Sequence, residues 1–160
     1  MLTHADDEGR PRMVDIGDKA ITKRRARARA RVVFPPDVAA RLRDSGAMTK
    51  KGPVFHTAIV AGVMAAKKTH ELLPFCHPLG LDDCRVVIAF GEGDDVVIDC
   101  VAAIEHKTGV EMEALTGATV AALTVYDMCK ALSHEIVIEQ TRLVGKTGGK
   151  RDFGSVEVPE

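Results

Sequence analysis

Residues 25–32 read RARARARV, with Arg25, Arg27, Arg29 and Arg31 alternating strictly with Ala26, Ala28, Ala30 and Val32. A helix would wind those arginines around its whole circumference, whereas the period of two in an extended chain puts them all on one side. The stretch therefore predicts a half-buried strand, and Pro35-Pro36 ends it. An arginine row can meet nucleic acid or phosphates. Across the chain, however, 22 Lys and Arg nearly balance 23 Asp and Glu, so there is no global field of the kind that gathers polyanions. The reading favours a solvated or subunit-facing sheet edge.

The second constraint is Lys107 to Lys130, KTGVEMEALTGATVAALTVYDMCK, which carries no charge between Ala114 and Tyr126. Leu115, Ala118, Ala122, Val125 and Cys129 recur at helical spacing, and Met112, Thr119, Leu123 and Tyr126 form a neighbouring stripe. This predicts a long helix buried on most of its circumference, too short in its apolar run to span a bilayer. Its charges gather at the ends. Thr108 and Glu111 have the spacing of a capping box, which would give Glu111 a structural task. Glu113 has only the favourable dipole of the first turn. Asp127 lies in the last turn, where a carboxylate opposes the helix dipole; an i,i+3 pair with Lys130 offsets this by only about a few tenths of a kcal/mol. Asp127 is therefore a site candidate.

The remaining pattern gives the fold. A short helix fits residues 37–44, and a second major helix runs from Val54 to about His70 with Pro53 at its first position. Ala58, Ala61, Gly62 and Ala65 let a neighbouring element approach it closely. Cys84–Phe90 and Val96–Ile104 alternate in phase across Gly91-Glu92-Gly93-Asp94, which predicts a hairpin, and a last strand begins at Ile136 and runs to about Val144. Strand, helix, strand, strand, helix, strand is the ferredoxin-like βαββαβ order, an α+β fold with helices on one face of an antiparallel sheet. One catalytic domain over residues 13–151 is expected, with polar, aperiodic segments 1–12 and 152–160 as mobile tails.

Other candidates lie in loops. Lys50 and Lys51 precede a helix start, where cations oppose the dipole unless an anion sits between them. His77 is held between Pro74 and Pro78, so its side chain is aimed, although a lone histidine beside Cys76 is poor geometry for a metal pair. Gly145-Lys146-Thr147-Gly148-Gly149-Lys150 is not a P-loop, because Gln140 stands where that motif needs its first glycine and only ten residues remain for the helix. It reads as a flexible glycine turn bearing two lysines that can face an anion. Cys76, Cys84, Cys100 and Cys129 show no C-x-x-C spacing and read as reduced thiols, and the polar N-terminus has no signal or anchor pattern, so a cytoplasmic protein is expected.

MVDI (13–16), KGPVF (51–55), FCHPLG (75–80), KTGVEMEALT with TVYDMCKAL (107–132) and GKTGGK (145–150) closely resemble the MoaC family, the cyclic pyranopterin monophosphate synthases of molybdenum cofactor biosynthesis. The resemblance covers about Met13 to Phe153. It implies a hexamer of three dimers with a pocket at the dimer interface. It further implies that Asp127 is the essential acid and Lys130 its partner, and that Lys51, at another pocket position, is a third catalytic residue. Glu111, Glu113, His77, Lys146 and Asp15 match other pocket positions, and Phe75, Cys76, His77, Met112 and Glu113 match substrate-contact segments. The implied substrate is 3′,8-cyclo-7,8-dihydro-GTP, supplied by a radical SAM partner enzyme and rearranged with loss of pyrophosphate. Two positions depart from the family pattern, Pro53 where an acid is usual and Ile59 where arginine is common.

Opening a purine ring and closing a cyclic phosphate are proton-transfer steps that an acid and a lysine can perform, so no metal and no cofactor are expected. The competing expectation is a ferredoxin-like purine-nucleotide sensor without turnover. RNA binding is disfavoured, since one tyrosine, five phenylalanines and no tryptophan leave little for base stacking. Nor is there any sign of membrane association.

Overall fold

The computed structural model describes residues 5–158. In chain order the elements are β1 (Thr22–Val33), α1 (Pro36–Asp44), β2 (Met48–Thr49), β3 (Gly52–Pro53), α2 (Val54–Ala66), α3 (Thr69–Leu72), β4 (Asp83–Phe90), β5 (Asp95–His106), α4 (Glu111–Cys129), β6 (Val137–Thr147) and β7 (Phe153–Gly154). The main sheet runs β4-β5-β1-β6-β7 and is antiparallel throughout. With β7 set aside, this is the ferredoxin-like strand order, and α2 and α4 lie together on one face.

The alternation in residues 25–32 decides which face. Ala26, Ala28, Ala30 and Val32 are fully buried under the helices, where they meet Val96, Ile98, Cys100 and Ala102 of β5 and Val125 and Cys129 of α4 in one core. The hairpin register is the expected one, with Phe90 opposite Val96, Ile88 opposite Ile98 and Val86 opposite Cys100. Close approach is built in at the helices. A Cβ on Gly62 would stand 2.9 Å from the Gly117 carbonyl, and one on Gly117 would stand 2.5 Å from Cys100 Sγ. Glycine is thus required at both positions by the packing of α2 on α4 and of α4 on β5.

The expectation for the arginine row needs correction. β1 is no edge strand; it lies between β5 and β6 at the centre of the sheet. Its arginines are matched by acids on the helix-free face: Arg27 and Arg29 both bind Asp99 at 2.8 Å, and Arg31 bridges Asp95 at 2.9 Å and Glu139 at 2.8 Å. Arg27 also donates to the Glu157 carbonyl, so the C-terminal segment helps to bury it. The sequence shows the arginines in a row, but their partners lie some 70 positions away. Cross-strand pairing satisfies the charges that periodicity alone left facing water.

Four further readings change. Pro53 is the N-cap of α2 in extended conformation, one position outside the helix. α2 stops at Ala66, and α3 takes up Thr69–Leu72. β6 continues through Thr147, so Gly145, Lys146 and Thr147 belong to a strand and the chain bends only at Gly148, Gly149 and Lys150. Of the two segments expected to be tails, residues 1–4 and 159–160 lie outside the described residues. Residues 5–12 contain a turn around the Asp6 carboxylate, and Phe153–Gly154 pairs with Gly145–Lys146. Among the described residues no helix is long and apolar enough to cross a membrane.

Candidate active site

α4 is one unbroken helix of 19 residues, which holds the candidate residues at its two ends a fixed distance apart. Glu113 and Asp127 are separated by fourteen positions, about 21 Å along the axis. The structure accordingly sorts the sequence-derived candidates into two groups.

At the N-terminal end, a cavity of about 480 Å³ is lined by Phe75, Cys76, His77, Glu111, Met112 and Glu113, together with Val14, Ile16, Lys19, Leu79, Thr108, Gly109 and Lys150. Thr108 forms no capping box with Glu111: the N-cap is Val110 and makes no side-chain cap bond. Glu111 turns instead to Lys146, whose Nζ donates to its Oε1 at 2.9 Å. Lys146 reaches it because it sits opposite Ala26 in the sheet, which brings its side chain out on the helix face. Burial acts to raise the Glu111 pKa, but the Lys146 hydrogen bond, the helix-start N–H and the charges of Lys146 and Arg24 prevail and hold it low. Glu113, two positions on, is 5% exposed and has no such cation. Burial pushes its pKa up, against the pull of its own backbone N–H, and the Glu111 charge adds to the rise. Two neighbouring carboxylates are thereby driven in opposite directions, the arrangement that separates an ionised group from one able to carry a proton. Burial, and then the nearby Glu113 charge, also raises the Cys76 thiol.

Asp15 does not reach the cavity wall. Its Oδ1 accepts the Gly17 N–H at 2.8 Å, a turn that lets Val14, Ile16 and Lys19 line the cavity in its place. Lys107 Nζ donates to the Gly17 carbonyl and ties this loop to the entry of α4.

At the C-terminal end, Asp127 is gripped from two sides. Lys130 Nζ lies 2.8 Å from Oδ1, and Lys51 Nζ lies 2.8 Å from Oδ2 and 2.9 Å from the Asp127 carbonyl oxygen. Lys51 therefore caps one of the free carbonyls at the end of α4 and supplies the positive charge that the helix dipole calls for there. Its chain position follows from the tight β2–β3 pairing, in which Thr49 lies opposite Gly52 and leaves Lys50 and Lys51 in the turn. The hydrogen bonds from Lys130 and then Lys51 hold the Asp127 carboxyl down at about 2, and the same contact raises Lys130. All three side chains remain about half exposed, at 47–54%. The sequence pointed to the pair with Lys130 but not to the bond with Lys51, which is 76 positions away. Beside the cluster lies a further cavity of about 710 Å³ between α1, the β2–β3 turn and the end of α4.

Lys150 of the glycine turn lines the cavity, whereas Lys19 and Arg24 are additions of the fold. No periodicity or spacing distinguishes those two from ordinary surface cations, and only the Asp15 turn and the place of β1 in the sheet bring them near the acids. Among the described residues no three His, Cys, Asp or Glu side chains converge as a metal-binding group.

The fold and the two clusters define a ferredoxin-like domain carrying ionisable groups at both ends of its central helix. The sequence pattern of the MoaC family matches residues 13–149, and the chain belongs to that family. It is 57% identical over 156 residues to a cyclic pyranopterin monophosphate synthase of Xanthomonas axonopodis pv. citri, covering 98% of this chain and 94% of that one. It is 58% identical to the protein of the same name from Xanthomonas oryzae pv. oryzae, with the same coverage. A molybdenum cofactor biosynthesis bifunctional protein of Synechocystis is 48% identical over 156 residues, which are 95% of this chain and 45% of that longer one.

Proposed function

We propose that the chain is a cyclic pyranopterin monophosphate synthase of molybdenum cofactor biosynthesis, a lyase that converts 3′,8-cyclo-7,8-dihydro-GTP to the cyclic phosphate with release of pyrophosphate. Membership of the family and the similarity to the named synthases carry the activity. What supports the site is the Lys51–Asp127–Lys130 cluster, whose charge is fixed by hydrogen bonds of 2.8 Å. At neutral pH Asp127 is ionised and Lys130 is charged, so their natural directions are base and acid respectively. When a sugar oxygen attacks the α-phosphorus, its proton passes to a carboxylate. The bond between the α-phosphorus and the bridging oxygen breaks, and the charge on the departing pyrophosphate is met by lysine. Glu113, with its raised pKa, is the proton carrier suited to the purine-derived end of the substrate, where His77, Phe75, Cys76 and Met112 form the wall.

One substrate cannot touch both ends of a helix of this length within one subunit. The complete site is therefore made in trans: the Glu113 end of one subunit faces the Asp127 end of another, in a two-fold dimer with two equivalent sites. The exposure of Val60 and Met64 on α2 and of Leu123 on α4 supports a partner over the outer helix face. A hexamer of three such dimers, in the cytoplasm and fed by a radical SAM enzyme, completes the proposal.

The test is turnover. Purified protein given the cyclised nucleotide should release stoichiometric pyrophosphate and form the pyranopterin product by mass spectrometry. Nucleotide that binds and is recovered unchanged would make the chain a sensor and defeat the assignment.

A further inference from the structure

The cavity beside the Asp127 cluster has a wall that the roles assigned so far leave without a task. Arg41 on α1 and Lys50 in the β2–β3 turn line it next to Lys51, with Leu42, Met128 and Leu132 in its apolar part and no Asp or Glu among its lining residues. Among the described residues, neither Arg41 nor Lys50 has a hydrogen-bond or ion-pair partner for its side chain. The contrast within α1 is informative. Arg43, two positions on, is occupied: it donates to the Gly91 and Gly93 carbonyls at 2.8 and 2.6 Å and lies 4.7 Å from the Phe90 ring centroid. Arg41 instead lines the cavity that Lys50 and Lys51 also line.

Charge makes the case. Lys51 and Lys130 are both engaged with one carboxylate, so the cluster offers a single net positive charge. A nucleoside triphosphate brings about four negative charges near neutral pH, one on each of the α- and β-phosphates and close to two on the terminal phosphate. Cations that line one cavity repel one another, and an anion between them relieves the repulsion; guanidinium in particular grips phosphate through paired N–H donors. We propose that Arg41 and Lys50 form a polyphosphate wall. They hold the β- and γ-phosphates while the cluster acts at the α-phosphorus, and they retain pyrophosphate once the P–O bond has broken. This rests on the proposed reaction and extends it to the leaving group.

Inorganic pyrophosphate is the probe, titrated calorimetrically into the full-length protein at low and high salt. The Arg41→Gln/Lys50→Gln variant is expected to bind it at least about tenfold more weakly at low salt, with a gap that narrows as salt screens the charges. Its KM for the cyclised nucleotide should rise in parallel. Lys50→Gln alone, in an exposed turn, gives the same direction with a smaller loss, and it serves if the double variant folds poorly. Pyrophosphate affinity unchanged in both variants overturns the wall. If the parent turns over the nucleotide while the variants keep full pyrophosphate affinity, the reaction stands and this inference falls. If pyrophosphate binding depends on both residues but the nucleotide is returned intact, the wall stands and the reaction falls.

Discussion

The two ends of α4 present carboxylates of opposite character. Glu113 sits in a half-enclosed cavity where desolvation raises its pKa, while Asp127 stands in water with two ammonium groups holding it at about 2. The dipole would predict the reverse, since an acid is welcome at a helix start and unwelcome at its end. Local surroundings prevail because the dipole contributes only about 0.3–1 kcal/mol at an exposed terminus, whereas direct hydrogen bonds to charged groups and loss of hydration act more strongly. The unfavourable placement of Asp127, read from the chain alone as a sign of chemistry, is thus partly compensated by Lys51, which also reaches the Asp127 carbonyl oxygen.

The largest effect expected is on turnover by Asp127→Asn. Removing the proposed base should lower kcat by about 10²–10⁴-fold. Circular dichroism should be unchanged and the melting temperature near that of the parent, because exposed ion pairs add little. Near-normal product formation would end the contrast between the two ends.

Glu113→Gln should be comparably inactive, and mixing the two inactive variants is the sharper probe. After reversible dissociation a mixed dimer carries one site with both wild-type residues, so a substantial fraction of activity should return. If subunit exchange is verified by native mass spectrometry and activity stays at the level of either variant, the sites are not shared.

Between the ends lies the helix crossing, where Gly117→Ala tests how rigidly they are spaced. Alanine gains about 1 kcal/mol of helix propensity over glycine, but its Cβ would be 2.5 Å from Cys100 Sγ, and overpacking of this kind costs about 1–3 kcal/mol. A net loss of stability in urea is expected. A gain would mean that the core yields there.

Lys51→Ala should weaken binding of a GTP analogue by about tenfold at low ionic strength, the equivalent of one charge-assisted hydrogen bond, and by less in high salt. Titration calorimetry at two salt concentrations measures it.

The smallest effect is a pH slope. Because the folded-state pKa of Glu113 is raised, its stabilising contribution is fully present below the ordinary value of about 4.3 and is lost as pH rises through the folded value. Glu113→Gln should therefore melt a few degrees higher than the parent at pH 7, and the gain should disappear near pH 4. Asp127, with its pKa lowered, behaves oppositely: its ion pairs act above the ordinary carboxylate value of about 3.9 and are lost only as pH falls through about 2. A thermal-melt series from pH 4 to 7 on both variants separates the two ends.

Periodicity by itself determined the strands, the long helix and the ferredoxin-like order, because burial on one face leaves a record every two or 3.6 residues. It also marked Asp127, since the dipole of a helix depends on nothing outside the helix. Contact partners were decided by tertiary structure. The β1 arginines looked like an edge and became the paired centre of the sheet, because Asp95 and Asp99 arrive from β5. Glu111 looked like a cap and became the partner of Lys146, because β6 runs three residues further than its hydrophobic pattern and delivers that lysine to the helix start. Asp15 accepts the Gly17 N–H and bends its own loop, so that Val14, Ile16 and Lys19 line the cavity. In each case the deciding interaction joins residues by hydrogen bonds that carry no periodic signature. Their partners become visible only when strand register and helix length fix where each side chain stands.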